Sequence, residues 1–126
     1  MSNASNAKTK KVLIVEDEES NYELLKAMLR KLDVEVFWAR NGKYAVDMCD
    51  ENEFSLIFMD IKMPGMDGYD AVINIRNRGI TTPIIAQTAY ARIEEEEVIL
   101  SRGFDAYISK PINRNRLNDL VNKFLF

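Results

Sequence analysis

Three acidic residues stand directly after short apolar runs. Glu16 and Asp17 follow Val12-Leu13-Ile14-Val15, and Asp60 follows Leu56-Ile57-Phe58-Met59. Gln87-Thr88 closes the run Pro83-Ile84-Ile85-Ala86, and Ser109-Lys110-Pro111 follows Ala106-Tyr107-Ile108. If each run is a strand of one parallel sheet, three carboxylates, one hydroxyl and one ammonium converge at a single edge. Carboxylates gathered this way repel one another unless a cation lies between them. Magnesium suits such a site, because it takes oxygen ligands and keeps several waters, so one or two direct carboxylates suffice. The expected direct ligands are Asp17 and Asp60, with Glu16 direct or through water, and a backbone carbonyl just past Asp60. A carboxylate beside such an ion is also a candidate nucleophile, since aspartyl phosphate is an established type of covalent intermediate. Phosphoryl transfer asks mainly for in-line placement and neutralised oxygens. Lys110 offers positive charge for that purpose and Thr88 a hydroxyl donor.

The elements that position these residues follow from periodicity. Short unbroken apolar runs fit strands buried on both faces. Val34 to Trp38 and Ala106 to Ile108 are the weaker strand candidates. Between the runs the period lengthens. Leu25, Met28, Leu29 and Leu32 form one helical stripe, and Leu117, Leu120, Val121 and Phe124 form another. Ala45, Met48 and Cys49 mark a second helix, and Tyr69, Val72 and Ile73 a third. Ile93 and Leu100 mark a fourth, with Glu94 to Glu97 facing water. Asp67 or Gly68 opens the third helix, Gly79 and Gly103 follow the third and fourth, and Asn113 caps the fifth. Asn41-Gly42 is a hairpin dipeptide, read here as a strand-to-helix turn because helix follows it. Five alternating strand-helix units imply an α/β fold, a parallel sheet with helices on both faces. Ligands of such sheets bind outside the carboxyl ends of the strands.

Taken singly, each signal has a plain explanation. Glu16 to Glu19 complement a helix dipole, Asp60 precedes a Pro64-Gly65 turn, Thr88 is a local cap, Lys110 a surface lysine and Tyr107 a core residue. Asp67 reads as a helix cap and not as a ligand. Their joint placement at four strand ends is what points to a site.

Composition narrows the functions. The chain has 126 residues, the size of one domain. Residues 1–9, opening with Met-Ser-Asn-Ala-Ser-Asn-Ala, read as a cloning scar and disordered tail, and 10–126 as the folded domain. With no histidine and one cysteine, histidine-based triads, a zinc site and an internal disulfide are all excluded. The net charge of -3 without a basic block argues against nucleic acid. The lack of a signal pattern or membrane-length apolar run points to the cytoplasm, with no membrane contact.

At these residues the sequence resembles the receiver domain of two-component response regulators. The resemblance rests on Val-Glu-Asp-Glu at 15–18, Met-Asp-Ile-Lys-Met-Pro-Gly-Met-Asp-Gly at 59–68, Gln-Thr-Ala at 87–89 and Lys-Pro at 110–111, and covers nearly all of 10–126. It implies a flavodoxin-like (βα)5 three-layer sandwich, its five-stranded parallel sheet in the order 2-1-3-4-5. It also implies that Asp60 is the phosphoacceptor and that Glu16 and Asp17 hold Mg2+ with the backbone carbonyl of Lys62. Thr88 then matches the hydroxyl that bonds the phosphoryl group, Tyr107 the aromatic switch coupled to it, and Lys110 the phosphoryl-contacting lysine before a cis Pro111. Lys62 and Tyr90 match positions that tune dephosphorylation. Mn2+ or Ca2+ would substitute for Mg2+. Glu16 departs mildly from the pattern, where aspartate is also common.

The implied partner is a histidine kinase or histidine phosphotransfer domain, docking near Ser20, Asn21 and Leu24. The implied response is a change in the face built from the fourth helix, fifth strand and fifth helix, near Glu94 to Glu97, Tyr107 and Arg114 to Arg116, with homodimerisation as one outcome. The run Glu-Asp-Glu-Glu-Ser-Asn and the Thr-Ala-Tyr-Ala segment are similar to receivers of hybrid sensor histidine kinases, a standalone receiver being the alternative. A magnesium-dependent phosphatase lacks its second acid-base Asp, since Lys62 stands there. A flavin binder would meet repulsion from the acidic strand ends.

Overall fold

The structure is a computed structural model that describes residues 9–89 and 93–126, with the backbone alone at 93 and 94. Tyr90 and the side chains of Ile93 and Glu94, all singled out in the sequence, lie outside the described residues. The order of elements is β1 (Lys10–Val15), α1 (Glu19–Met28), β2 (Val34–Ala39), α2 (Gly42–Glu51), β3 (Leu56–Asp60), α3 (Gly68–Asn77), β4 (Ile84–Thr88), α4 (Ile93–Ser101), β5 (Ala106–Ser109) and α5 (Arg114–Phe124).

All four strand pairings are parallel, in the order β2-β1-β3-β4-β5. This is the flavodoxin-like order expected from the sequence resemblance. Strand alternation divides the core into two layers. Leu13, Val15, Ile57, Met59, Ile84 and Ala86 face α2, α3 and Ile99 of α4. Val12, Ile14, Leu56, Phe58, Ile85 and Ile108 face α1 and α5. The central β3 is buried along its whole length, which is why its sequence is an unbroken apolar run ending in a single charge.

The caps set the helix starts. Asn41, Asp67 and Asn113 each accept a backbone N–H from three residues on, at 2.8, 2.9 and 3.0 Å. Asn41-Gly42 is therefore a helix start, as its context required. Gly79 and Gly103 take positive φ after α3 and α4. At the far end of the sheet, Arg76 of α3 donates to the carbonyls of Gly103, Ile80 and Thr82 and to the Asp105 carboxylate. That one guanidinium ties α3 to the starts of β4 and β5.

Three stripes differ from expectation. Helix α1 ends at Met28, and Leu32 is reached through tight turns in which Leu32 donates to the Leu29 carbonyl. Its spacing persists because it packs on the same layer as Leu29. Ile73 is 42% exposed, and the buried face of α3 runs through Ala71, Val72 and Ile75. Among the described side chains of α4 Ile99 is buried, while Leu100 is 45% exposed. Glu95 and Glu96 are half-buried and not fully in water.

Candidate functional site

The carboxyl edge of the sheet gathers the charged residues. Asp60, the last residue of β3, is 6% exposed, and Glu16, just past β1, is 1% exposed. Asp17 beside it is exposed. Carboxylate oxygens of Glu16, Asp17 and Asp60 lie within 4.8 Å of one another. Lys110, just past β5, places its ammonium 2.9 Å from Glu16 Oε1 and 3.3 Å from Asp60 Oδ2. The peptide bond from Lys110 to Pro111 is cis, as the resemblance implied. These groups open into a cleft of ≈ 480 Å³, whose walls include Asp17, Asp60, Lys62, Thr88 and Lys110.

Backbone bonds hold the acidic loop in place. The Glu16 N–H donates to the Ala39 carbonyl at 3.0 Å. The Trp38 indole N–H donates to the Glu16 carbonyl at 2.8 Å. Trp38 in turn stacks on Tyr22 of α1, centroids 4.2 Å apart, and carries the Arg40 guanidinium 4.3 Å from its ring. Glu16 is thus pinned from β2 on both its N–H and its carbonyl. Ile61 donates to the Gln87 carbonyl at 3.2 Å, and Lys110 to the Thr88 carbonyl at 2.8 Å, which extends the strand pairing through the site.

The electrostatics reflect crowding of like charge. Burial pushes the Glu16 carboxyl up to about 7, against the hydrogen bond from Lys110 and with help from nearby Asp60. Burial works against the Lys110 ammonium, but Glu16 and Asp60 outweigh it and hold its pKa above the ordinary value. An all-oxygen donor set with excess negative charge fits a hard divalent cation such as magnesium, and not a soft thiophilic one.

The sign of the pH effect follows. A folded pKa for Glu16 near 7, above its ordinary 4.5, means the folded protein holds this proton more tightly. The stability it contributes is complete below pH 4.5 and lost as pH rises through about 7. Without divalent cation, the wild type is expected to lose melting temperature relative to Glu16→Gln across that window. A constant difference between the two melting curves would contradict it.

Thr88 and Tyr107 lie on the other face of the sheet from Asp60. Ala86 pairs with Tyr107 and Thr88 with Ser109, so Thr88, Ala86 and Tyr107 share the face covered by α2, α3 and α4. Thr88 is half-buried at the cleft. Tyr107 is also half-buried. Burial, with the negative charge of Glu96 beside it, raises its pKa. Arg116 of α5 donates to the Tyr107 carbonyl at 3.0 Å and sits 5.7 Å from its ring.

Sequence reasoning brought Glu16, Asp17, Asp60 and Lys110 together, and the structure does the same. It gave no role to the Trp38 indole or to the Gln87 side chain. Only Gln87 carried a signal, as an amide inside an otherwise apolar run.

Residues 12–122 match the family model described as the response regulator receiver domain. This chain belongs to that family. The receiver is 38% identical over 121 residues to the Hybrid signal transduction histidine kinase I of Dictyostelium discoideum, covering 89% of this chain. It spans 7% of that relative's length and 13% of the next curated one. Among solved structures it is similar to the receiver domain of a Pseudomonas aeruginosa sensor histidine kinase with a magnesium ion coordinated in the active-site cleft. That match has a TM-score of 0.84 and 33% identity, and covers 94% of this chain and 98% of the other. A second match is the Saccharomyces cerevisiae receiver of Ssk1 in complex with the phosphotransfer protein Ypd1. Its TM-score is 0.86 at 30% identity, covering 92% and 88% of the two chains. The receiver is therefore a signalling module of two-component phosphorelays. Receivers bind Mg2+ at an acidic cluster, and Glu16, Asp17 and Asp60 form such a cluster here. Among the described residues no helix is long and apolar enough to cross a membrane.

Proposed function

We propose that Asp60 is the phosphoacceptor of this receiver and takes its phosphoryl group from a phosphohistidine on a histidine kinase or histidine phosphotransfer domain. The observation that carries this is the Lys110 ammonium, seated between Glu16 and Asp60 in a cleft that also holds Asp17. Glu16, Asp17, Asp60 and the Lys62 backbone carbonyl hold Mg2+, with Mn2+ or Ca2+ able to replace it. The ion, when bound, neutralises the carboxylates and the oxygens of the transferring group.

An Asp60 carboxylate oxygen attacks phosphorus, the donor's P–N bond breaks as the new P–O bond forms, and the donor imidazole leaves. Lys110 stabilises the charge that develops on the phosphoryl oxygens. Thr88 then turns its hydroxyl to the phosphoryl group. Space opens behind it on the face shared with Tyr107, and Tyr107 turns inward. The surface of α4, β5 and α5 changes with it, and homodimerisation through that face is one readout. The domain serves as a phosphoacceptor in the cytoplasm, not as a turnover enzyme. The histidine this chain lacks comes from the partner, as in the pairing of Ssk1 with Ypd1. The partner docks at α1 beside Asn21 and the exposed Leu24.

With magnesium and acetyl phosphate, the intact mass is expected to rise by one phosphoryl group in the wild type and not in Asp60→Asn. A gain that persists in Asp60→Asn would place the chemistry elsewhere. A wild type inert to acetyl phosphate and to a phosphohistidine donor alike would end this reading.

A further inference from the structure

Gln87 has a buried carboxamide without a hydrogen bond. Neither Oε1 nor Nε2 has a partner, and the residue is 1% exposed. A buried amide left this way has lost its water without regaining a hydrogen bond, a net cost to the fold. Native proteins keep few such groups.

The sheet register says what lies around it. Asp60 pairs with Gln87, and Gln87 with Ile108, and paired residues of parallel strands share a face. Glu16 follows Val15, which pairs with Met59, so Glu16 stands beside Asp60 on that same face. Strand β4 lies between β3 and β5. Lys110 leaves the end of β5, yet its ammonium reaches Asp60 at the end of β3 and Glu16 just past β1. Its stem must therefore cross the end of β4, over Gln87. Below, the same face is apolar, with Phe58, Ile85 and Ile108. The carboxamide is sealed between an apolar layer and the lysine whose ammonium serves the site.

A leucine or methionine would suit that layer better in the empty protein. The amide is useful only if a partner reaches it in another state, and Lys110 is the group placed to move. A cation held by Glu16 repels the ammonium and occupies the carboxylate that now accepts from it. A phosphoryl group on Asp60 draws the ammonium back from β1 toward β3 and β4. An ammonium has three protons to place, and Gln87 offers an acceptor under its path.

We propose that Gln87 is a positioning residue for Lys110 in the loaded site, its Oε1 accepting from the ammonium once Glu16 is engaged elsewhere. This rests on Asp60 being the phosphoacceptor. The carboxamide thus trades stability of the empty receiver for placement of Lys110 during transfer.

The test compares the wild type with Gln87→Met, close in volume but without hydrogen-bonding groups, and with Gln87→Leu. Melting temperature is read without magnesium. The rate of phosphoryl gain from acetyl phosphate with magnesium is read by intact mass. The expected result is a melting temperature equal to or above wild type in both variants, with phosphoryl gain about tenfold slower, the loss of one hydrogen bond to a charged group. Rates indistinguishable from wild type would overturn the inference. So would a lower melting temperature in both variants, which would show the carboxamide already bonded in the empty protein. A wild type that gains no phosphoryl group fails at Asp60 and takes this inference with it, a result distinct from failure at Gln87 alone.

Discussion

Lys110→Ala is expected to slow phosphoryl transfer to the receiver by about 10²–10³-fold, the usual cost of removing one preorganised charge from a transfer site. Lys110 is bonded to both Glu16 and Asp60, and its pKa is held above the ordinary value, so it is cationic when the donor arrives. Magnesium affinity should not fall in the variant, since the ammonium competes with the ion for the same two carboxylates. A rate equal to wild type at saturating magnesium would show that the metal alone neutralises the phosphoryl oxygens. A parallel loss of magnesium binding would mean that Lys110 shapes the acidic loop and not the transfer.

Gly68→Ala is expected to damage fold and site together. Gly68 opens α3, and a Cβ there would stand 2.5 Å from the Asp60 carbonyl oxygen and 2.7 Å from the Ile61 Cα. Both obstacles are backbone, so no side-chain rotation relieves them. The Gly68 N–H also donates to the Ile61 carbonyl at 2.8 Å, which ties the start of α3 to the residue after Asp60. Overpacking of this kind costs about 1–3 kcal/mol and occasionally more, here on the order of 10 °C in melting temperature. Because the chain must yield at Asp60 and Ile61, phosphoryl gain should fall beyond what the loss of folded protein explains. A variant that melts with the wild type would contradict the close approach. Gly65 is the contrast, since it has positive φ but a Cβ added there would meet nothing within 4 Å. There the strain of alanine comes from backbone conformation alone.

Much of the site was legible because each strand ends with its apolar run or within two residues of it. Glu16, Asp17, Asp60 and Lys110 could be placed at one edge from that alone, and the strand order then needed only the resemblance. The helix faces were less legible. Tyr69, Val72 and Ile73 fit a helical spacing, but Ile73 points outward because α3 packs on the sheet through Ala71, Val72 and Ile75. On α4, Leu100 lost the core to Ile99, one residue away. A short stripe with two apolar neighbours does not say which of them the sheet takes. The bond from Trp38 to Glu16 depends on β2 lying beside β1, 22 residues apart in sequence. The effect of Glu96 on Tyr107 depends on how α4 sits against β5. Neither leaves a mark in local pattern. Gln87 did leave one, but its meaning needed the register that sets it beside Asp60 and under Lys110. The roles given to Lys62, Thr88 and Tyr107 come from the resemblance and stand as proposals.

The central claim is tested most directly by transfer from a phosphohistidine. A phosphorylated histidine phosphotransfer protein would be mixed with the receiver and magnesium. The acyl phosphate formed would be trapped by hydride reduction and the modified residue located by peptide sequencing in the mass spectrometer. The expected result is a single modified residue, Asp60, with no transfer when magnesium is chelated and none to Asp60→Asn. Label at any other residue, or label on Asp60→Asn equal to wild type, would contradict it.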